Sequence, residues 1–131
     1  MNLKKTLDSG AVLEVQMAKF QLGHRLFKAV MREIKDIVMP DNANVANMIK
    51  DVAAGLLSSS EVEAILWECM GVAIYNNQKV TPDLFEDEKI REDYLIVAKE
   101  VLIVNLIPFF KNLSSMLLDV QEKIIAIRKQ K

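Results

Sequence analysis

The chain has 131 residues, of which 51% are hydrophobic and 27% charged; its length suits one domain, for which ~100–200 residues is usual. Lys+Arg 17 against Asp+Glu 18 gives a net charge of −1, so there is no cationic surplus to bind nucleic acid or an anionic membrane. One cysteine and one histidine exclude an internal disulfide and a cysteine-based zinc site, suit a reducing compartment, and leave little for histidine-based catalysis.

The chain opens with Met1-Asn2-Leu3-Lys4-Lys5, like a signal n-region, but Thr6-Leu7-Asp8-Ser9-Gly10 stands where an apolar core would have to follow. The expectation is a protein that stays where it is made. Leu13, Val15 and Met17 alternate with Val12, Glu14 and Gln16, the period of a half-buried strand. Asp8-Ser9-Gly10 supplies a turn and 2–7 a partner strand, which predicts a hairpin over 1–18. A lone hairpin is marginal in water, so this one must pack on helices or pair with another chain.

Helical spacing takes over from residue 19. Phe20, Phe27, Val30, Ile34 and Ile37 recur on one predicted face. Met39-Pro40-Asp41-Asn42 breaks the run, because a residue before proline avoids helix. Val45, Met48, Ile49, Val52 and Leu56 form the next stripe, and Ser58-Ser59-Ser60 interrupts it. Ser60 with Glu63 reads as a capping box for a helix burying Val62, Ile65, Leu66, Cys69, Met70 and Ala73. Tyr75-Asn76-Asn77-Gln78-Lys79 is a turn-rich connector. Thr81-Pro82-Asp83 then supplies an N-cap, a proline at the first helical position and an acidic first turn. A long helix is predicted from about Ile90 to Leu106, with Pro108 kinking it or starting another. Phe110, Leu113, Leu117, Val120, Ile124 and Ile127 continue the spacing to a basic last turn. The predicted fold is mainly α: a single-domain helical bundle over 19–131, of about five helices, with a short N-terminal β-hairpin.

Chemistry-bearing clusters are sparse. His24 sits near the edge of the first stripe without partners and reads as structural. Cys69 lies on an apolar helix face, where a thiol behaves as a small hydrophobe. Glu86-Asp87-Glu88 lacks the glycine-centred loop of a calcium site, as does Asp41-Asn42-Ala43-Asn44; the first reads as a solvated helix start with docking of a basic partner as the alternative. No phosphate loop or nucleophile elbow occurs, and no cofactor or metal site is expected. Val101–Phe110 is uncharged for ten residues, short of the ~20 a spanning helix needs. Being apolar on every side, it is either the central helix of the domain or a helix that also contacts another chain.

Several blocks together resemble a family. They are Ile65-Leu66-Trp67-Glu68-Cys69, Tyr75-Asn76-Asn77-Gln78-Lys79-Val80-Thr81-Pro82-Asp83-Leu84-Phe85, Arg91-Glu92-Asp93-Tyr94 and Asn105-Leu106-Ile107-Pro108-Phe109-Phe110-Lys111. In this order they are similar to the tail assembly chaperones of long-tailed bacteriophages, over about 65–113. The resemblance implies a small, mostly helical, non-enzymatic protein in the cytoplasm of the infected bacterium, absent from the mature virion. It further implies binding and solubilising the tape measure protein and helping to recruit tail tube subunits. A frameshift-extended form would reach the major tail tube protein, and this chain resembles the short form. A homo-oligomer is expected, with neither nucleic acid nor membrane as partner.

A chaperone for a long helical client needs apolar docking surface in many weak copies rather than a pocket. Trp67, Tyr75, Phe109, Phe110, Met116 and Leu117 are the candidate anchors for client or self-contacts, and each would serve equally well as ordinary core. The alternatives are a structural tail component or connector joined through its hairpin, and a small helical interaction or regulatory protein.

Overall fold

Alternation near the start of the chain does produce a hairpin, but that hairpin is half of a larger sheet. The computed structural model describes the backbone of residues 2–34, 53 and 55–129, and the side chains of 2–33, 53 and 55–111. Strand β1 (Asn2–Thr6) pairs antiparallel with β2 (Val12–Gln16), with Leu3 opposite Val15 and Lys5 opposite Leu13. Their turn closes through Leu7 N–H donating to Ala11 O at 2.8 Å and Gly10 N–H to Leu7 O at 2.9 Å. Gly10 has φ 91° there, a conformation open to glycine at little cost.

The expectation of a helical bundle with only a hairpin is overturned by a second hairpin. Strand β3 (Ala73–Tyr75) pairs with the free edge of β2, and β4 (Gln78–Lys79) with β3, giving a four-stranded antiparallel sheet in the order β1-β2-β3-β4. Ala73 therefore lies in a strand rather than on the preceding helix, and Tyr75 and Gln78-Lys79 are not connector. The cause is turn chemistry. Asn76 and Asn77 both take positive φ, 47° and 64°, as a two-residue hairpin turn requires and as asparagine tolerates. Asn76 also joins this hairpin to the first: its N–H donates to Val12 O at 2.9 Å, and its Oδ1 accepts from Val12 N–H at 2.7 Å.

Helix α1 (Phe20–Ile34) and helix α2 (Ser60–Met70) pack together. Arg25–Glu68 at 3.4 Å and Arg32–Glu61 bridge them; the numbers run in opposite directions, so the helices are antiparallel. The buried face of α1 is Leu26, Ala29 and Val30, whereas Phe20 is 70% exposed, so the predicted stripe is rotated from the real one. The N-cap of α2 is Ser59 rather than Ser60: its Oγ accepts from Val62 N–H at 3.3 Å. Val62, Ile65, Leu66, Cys69 and Met70 are buried as their spacing predicts. The expected break at 39–42 and most of the stripe from Val45 lie outside the described residues; Leu56, at the end of that stripe, is buried.

Thr81 and Pro82 open a 3-10 turn over Pro82–Glu86 rather than an α-helix. A single turn, α3 (Glu88–Arg91), follows, with Asp87 Oδ1 capping Lys89 and Ile90 N–H. Helix α4 (Tyr94–Lys129) begins four residues later than predicted and runs unbroken through Pro108. Pro108 is exposed, so the backbone carbonyl it leaves unpaired sits on the wet side of the helix, where the loss is cheapest.

Helix α4 contacts β2, α1 and α2, which explains its composition. Val101, Leu102, Ile103, Val104, Asn105 and Leu106 are all buried; the apolar run is the central helix. Leu13 and Val15 of β2 cover one face of it from the sheet, with Ala73 and Tyr75 buried on the same side of the sheet, while Glu14 and Ile74 point to the other side. Asn105 is the polar exception at 1% exposure. Its Oδ1 accepts from Ala18 N–H at 2.9 Å and its Nδ2 donates to Val101 O at 2.8 Å. Both bonds relieve groups that burial would otherwise leave unsatisfied, at a cost of about 1–3 kcal/mol each. Glu100, 5% exposed, is held by Lys5 Nζ at 3.1 Å and Lys99 Nζ at 3.4 Å, tying β1 to α4.

Candidate functional site

The candidate anchors fall into three separate places. Trp67 on α2 is half-buried in a corner with Phe85 of the 3-10 turn and Tyr94 at the start of α4. Trp67 lies face to face with Tyr94 at 5.8 Å and 23°, and edge-on to Phe85 at 5.9 Å and 73°. Phe85 meets Tyr94 edge-on at 5.1 Å and 82°. These are the offset and edge geometries aromatic quadrupoles prefer. Tyr94 Oη donates to Glu63 Oε2 at 2.9 Å. Burial, then the Glu63 carboxylate, pushes this phenol up to about 12.

Tyr75 is in a different place, inside the sheet face at 4% exposure. Its Oη donates to Asp93 Oδ2 at 2.6 Å, and Ser9 Oγ donates to the same oxygen at 2.6 Å. The buried Asp93 thus clasps the first turn, β3 and the α3–α4 junction. Burial, then the bond to Asp93, pushes Tyr75 up to about 12. An open cleft of about 680 Å³ lies beside this clasp, lined in part by Ser9, Tyr75, Asp87, Lys89 and Glu92. Among the described residues no group of three or more His, Cys, Asp or Glu side chains could hold a metal ion.

Phe109 and Phe110 stand where α4 crosses α1. Phe110 is fully buried and meets Phe27 edge-on at 5.4 Å. Phe109 is half-buried and is the hub of an aromatic row from α1. It lies 5.0 Å from Phe27, 6.0 Å from His24 and 6.1 Å from Phe20, and His24 stacks on Phe20 at 5.4 Å and 10°. A Cβ at Gly23 would meet the Phe109 ring at 3.6 Å, an ordinary contact distance, so the ring packs close to the α1 backbone there. Met116 and Leu117 lie on α4, but their side chains are outside the described residues.

Phe20 and His24 belong to this surface although neither was singled out as an anchor. The signal was present: Phe20, His24, Phe27 and Met31 are spaced four, three and four, a helical stripe in its own right. It was hidden because Phe20 and Phe27 fit a core stripe equally well. Cys69 is buried, and burial followed by the Glu68 charge pushes its thiol up to about 12, which removes it as a nucleophile. The acidic stretch is largely spent on local structure: Asp87 caps α3, Arg91 pairs with Glu86 at 3.7 Å, and Asp93 is the clasp. Among the described residues no helix is long and apolar enough to cross a membrane.

The model of the phage tail assembly chaperone protein family matches residues 11–118. No curated protein and no solved structure matches the chain.

Proposed function

Since the chain belongs to the phage tail assembly chaperone family, we propose that it is a non-enzymatic chaperone that binds the tape measure protein and keeps it soluble. On this reading it works as a homo-oligomer in the cytoplasm of the infected bacterium, helps to recruit tail tube subunits, and is absent from the mature virion. The observation that carries it is the family match, which runs from β2 through α1, α2 and the second hairpin into the central helix. Two structural features support it. The buried polar groups Asp93, Glu100 and Asn105 are bonded within the fold rather than gathered into a reactive site. The aromatic row on α1 reaches solvent at Phe20, where a client could dock.

Co-expression with the long helical protein encoded in the same tail gene cluster tests the reading. Soluble yield of that protein should rise severalfold; an unchanged yield overturns it. The second reading, a structural tail component, is favoured by β1, an edge strand that within the described sheet pairs only with β2 and so offers a template for strand addition. Finding the chain in purified virions would select that reading over the chaperone.

A further inference from the structure

We propose that the row Phe20, His24, Phe27 and Met31 of α1, with Phe109 of α4 as its wall, docks an acidic amphipathic helix of the client protein. The proposal rests on the chaperone reading and names the chemistry of the partner.

Geometry supplies the first argument. The four side chains recur at intervals of four, three and four residues along α1, the stripe that a second helix reads with its own i, i+3/i+4, i+7 side chains. The row grades from a rooted to an open end. Phe27 is half-buried and packed on Phe109 and Phe110, whereas Phe20 is 70% exposed. Met17, three residues earlier, is 46% exposed. An anchored aromatic with an exposed neighbour needs no reorganisation to bind, which keeps the entropic cost of docking low.

Charge supplies the second argument and selects the partner. From Lys19 to Glu33 the chain carries Lys19, Arg25, Lys28 and Arg32 against the single carboxylate of Glu33. The first turn of α1 contains no acidic residue, so its partial positive end is uncompensated there. Arg25 and Arg32 are neutralised by Glu68 and Glu61 of α2. Lys19 and Lys28 are exposed and, among the described residues, make no ion pair. Lys28 lies one turn beyond His24 on the same side of α1, so the open aromatic row has a cationic border. A helix with apolar anchors and flanking carboxylates is complementary to it, and a basic helix is repelled.

The test uses the whole chain and a synthetic amphipathic peptide of about 20 residues, long enough to populate helix, with Leu at helical spacing and Glu on its flanks. Its counterpart carries Lys at every Glu position. The acidic peptide should bind at least tenfold tighter than the basic one, with amide shift changes centred on Phe20, His24 and Phe109. Phe20→Ala and Lys28→Glu should each weaken binding at least fivefold, while Leu95→Ala, altering an exposed residue elsewhere on α4, leaves it unchanged. Equal binding of both peptides, shifts centred elsewhere, or an indifferent Phe20→Ala variant overturns the proposal. So does a concentration-dependent dimer that Phe20→Ala renders monomeric, since a second copy would then cover this face. If co-expression solubilises the tail protein as well with Phe20→Ala as with the natural chain, the chaperone reading stands and this docking face falls. If the natural chain fails in co-expression, the chaperone reading falls whatever the peptides do.

Discussion

Two aromatic groups, built from the same kinds of residue, serve opposite ends in this molecule. Around Trp67 the rings meet both edge to face, at Phe85, and face to face, at Tyr94, and the Tyr94 hydroxyl is fastened to Glu63. Around Phe109 the rings of Phe20, His24 and Phe27 lie closer to parallel, and the outermost ring is mostly in solvent. The first group joins three elements, α2, the 3-10 turn and α4, so every ring has neighbours on several sides. The second lies along one helix and meets the half-buried Phe109 of another, with Phe27 alone also reaching the buried Phe110. Enclosure by several elements turns aromatic surface into stability, whereas a row on one helix leaves it available for binding.

The largest test of that contrast is at the foot of the open row. Phe110→Ala removes a fully buried ring and should cost about 3–5 kcal/mol by urea unfolding; a cost under about 1 kcal/mol would show that this end too is open.

Alkaline pH comes next. Tyr94 has its proton held to about 12 in the folded chain against 10.0 without that environment. Below pH 10 both folded and unfolded phenols are neutral and the contribution is complete. Between 10 and 12 the unfolded chain ionises first, so stability falls as pH rises through this window. Tyr75 behaves likewise through Asp93. The slope of unfolding free energy against pH in this window should be smaller in Tyr94→Phe; an identical slope would show that the hydroxyl is not enclosed.

Trp67→Ala should destabilise by about 2 kcal/mol, less than a fully buried ring because Trp67 is half-buried. The smallest effect is predicted for Phe20→Ala, within about 0.5 kcal/mol of the natural chain. If thermal unfolding ranks Phe20→Ala above Trp67→Ala, the division between the enclosed group and the open row is wrong.

Much of the fold was legible because short-range rules act within a few residues. The Asp8-Ser9-Gly10 turn, the buried face of α2 and the apolar circumference of Val101–Leu106 follow from turn chemistry and periodicity alone. The second hairpin was misread although Asn76-Asn77 is a strong turn pair: β3 and β4 are only three and two residues long, too short to show alternation. The Ser59 cap differs from the predicted Ser60 by one residue within a run of three serines, where composition gives no basis for choice. The site was partly legible. Trp67, Phe109 and Phe110 stand out in the sequence as candidates, but not that Phe109 would lie against a row on α1 whose open tip is Phe20.

The sequence by itself determined that the chain begins with a hairpin, which face α2 buries, and which family motifs it carries. Tertiary structure alone decided that β3 would complete a sheet on β2, that Asp93 would receive two hydroxyls from distant segments, and which phenylalanines face water. The physical reason is that periodicity reports which side chains share a face. Whether that face is covered depends on elements far along the chain, as where α4 crosses α1: Phe110 of α4 is fully buried against Phe27, while Phe20 of α1 stays 70% exposed.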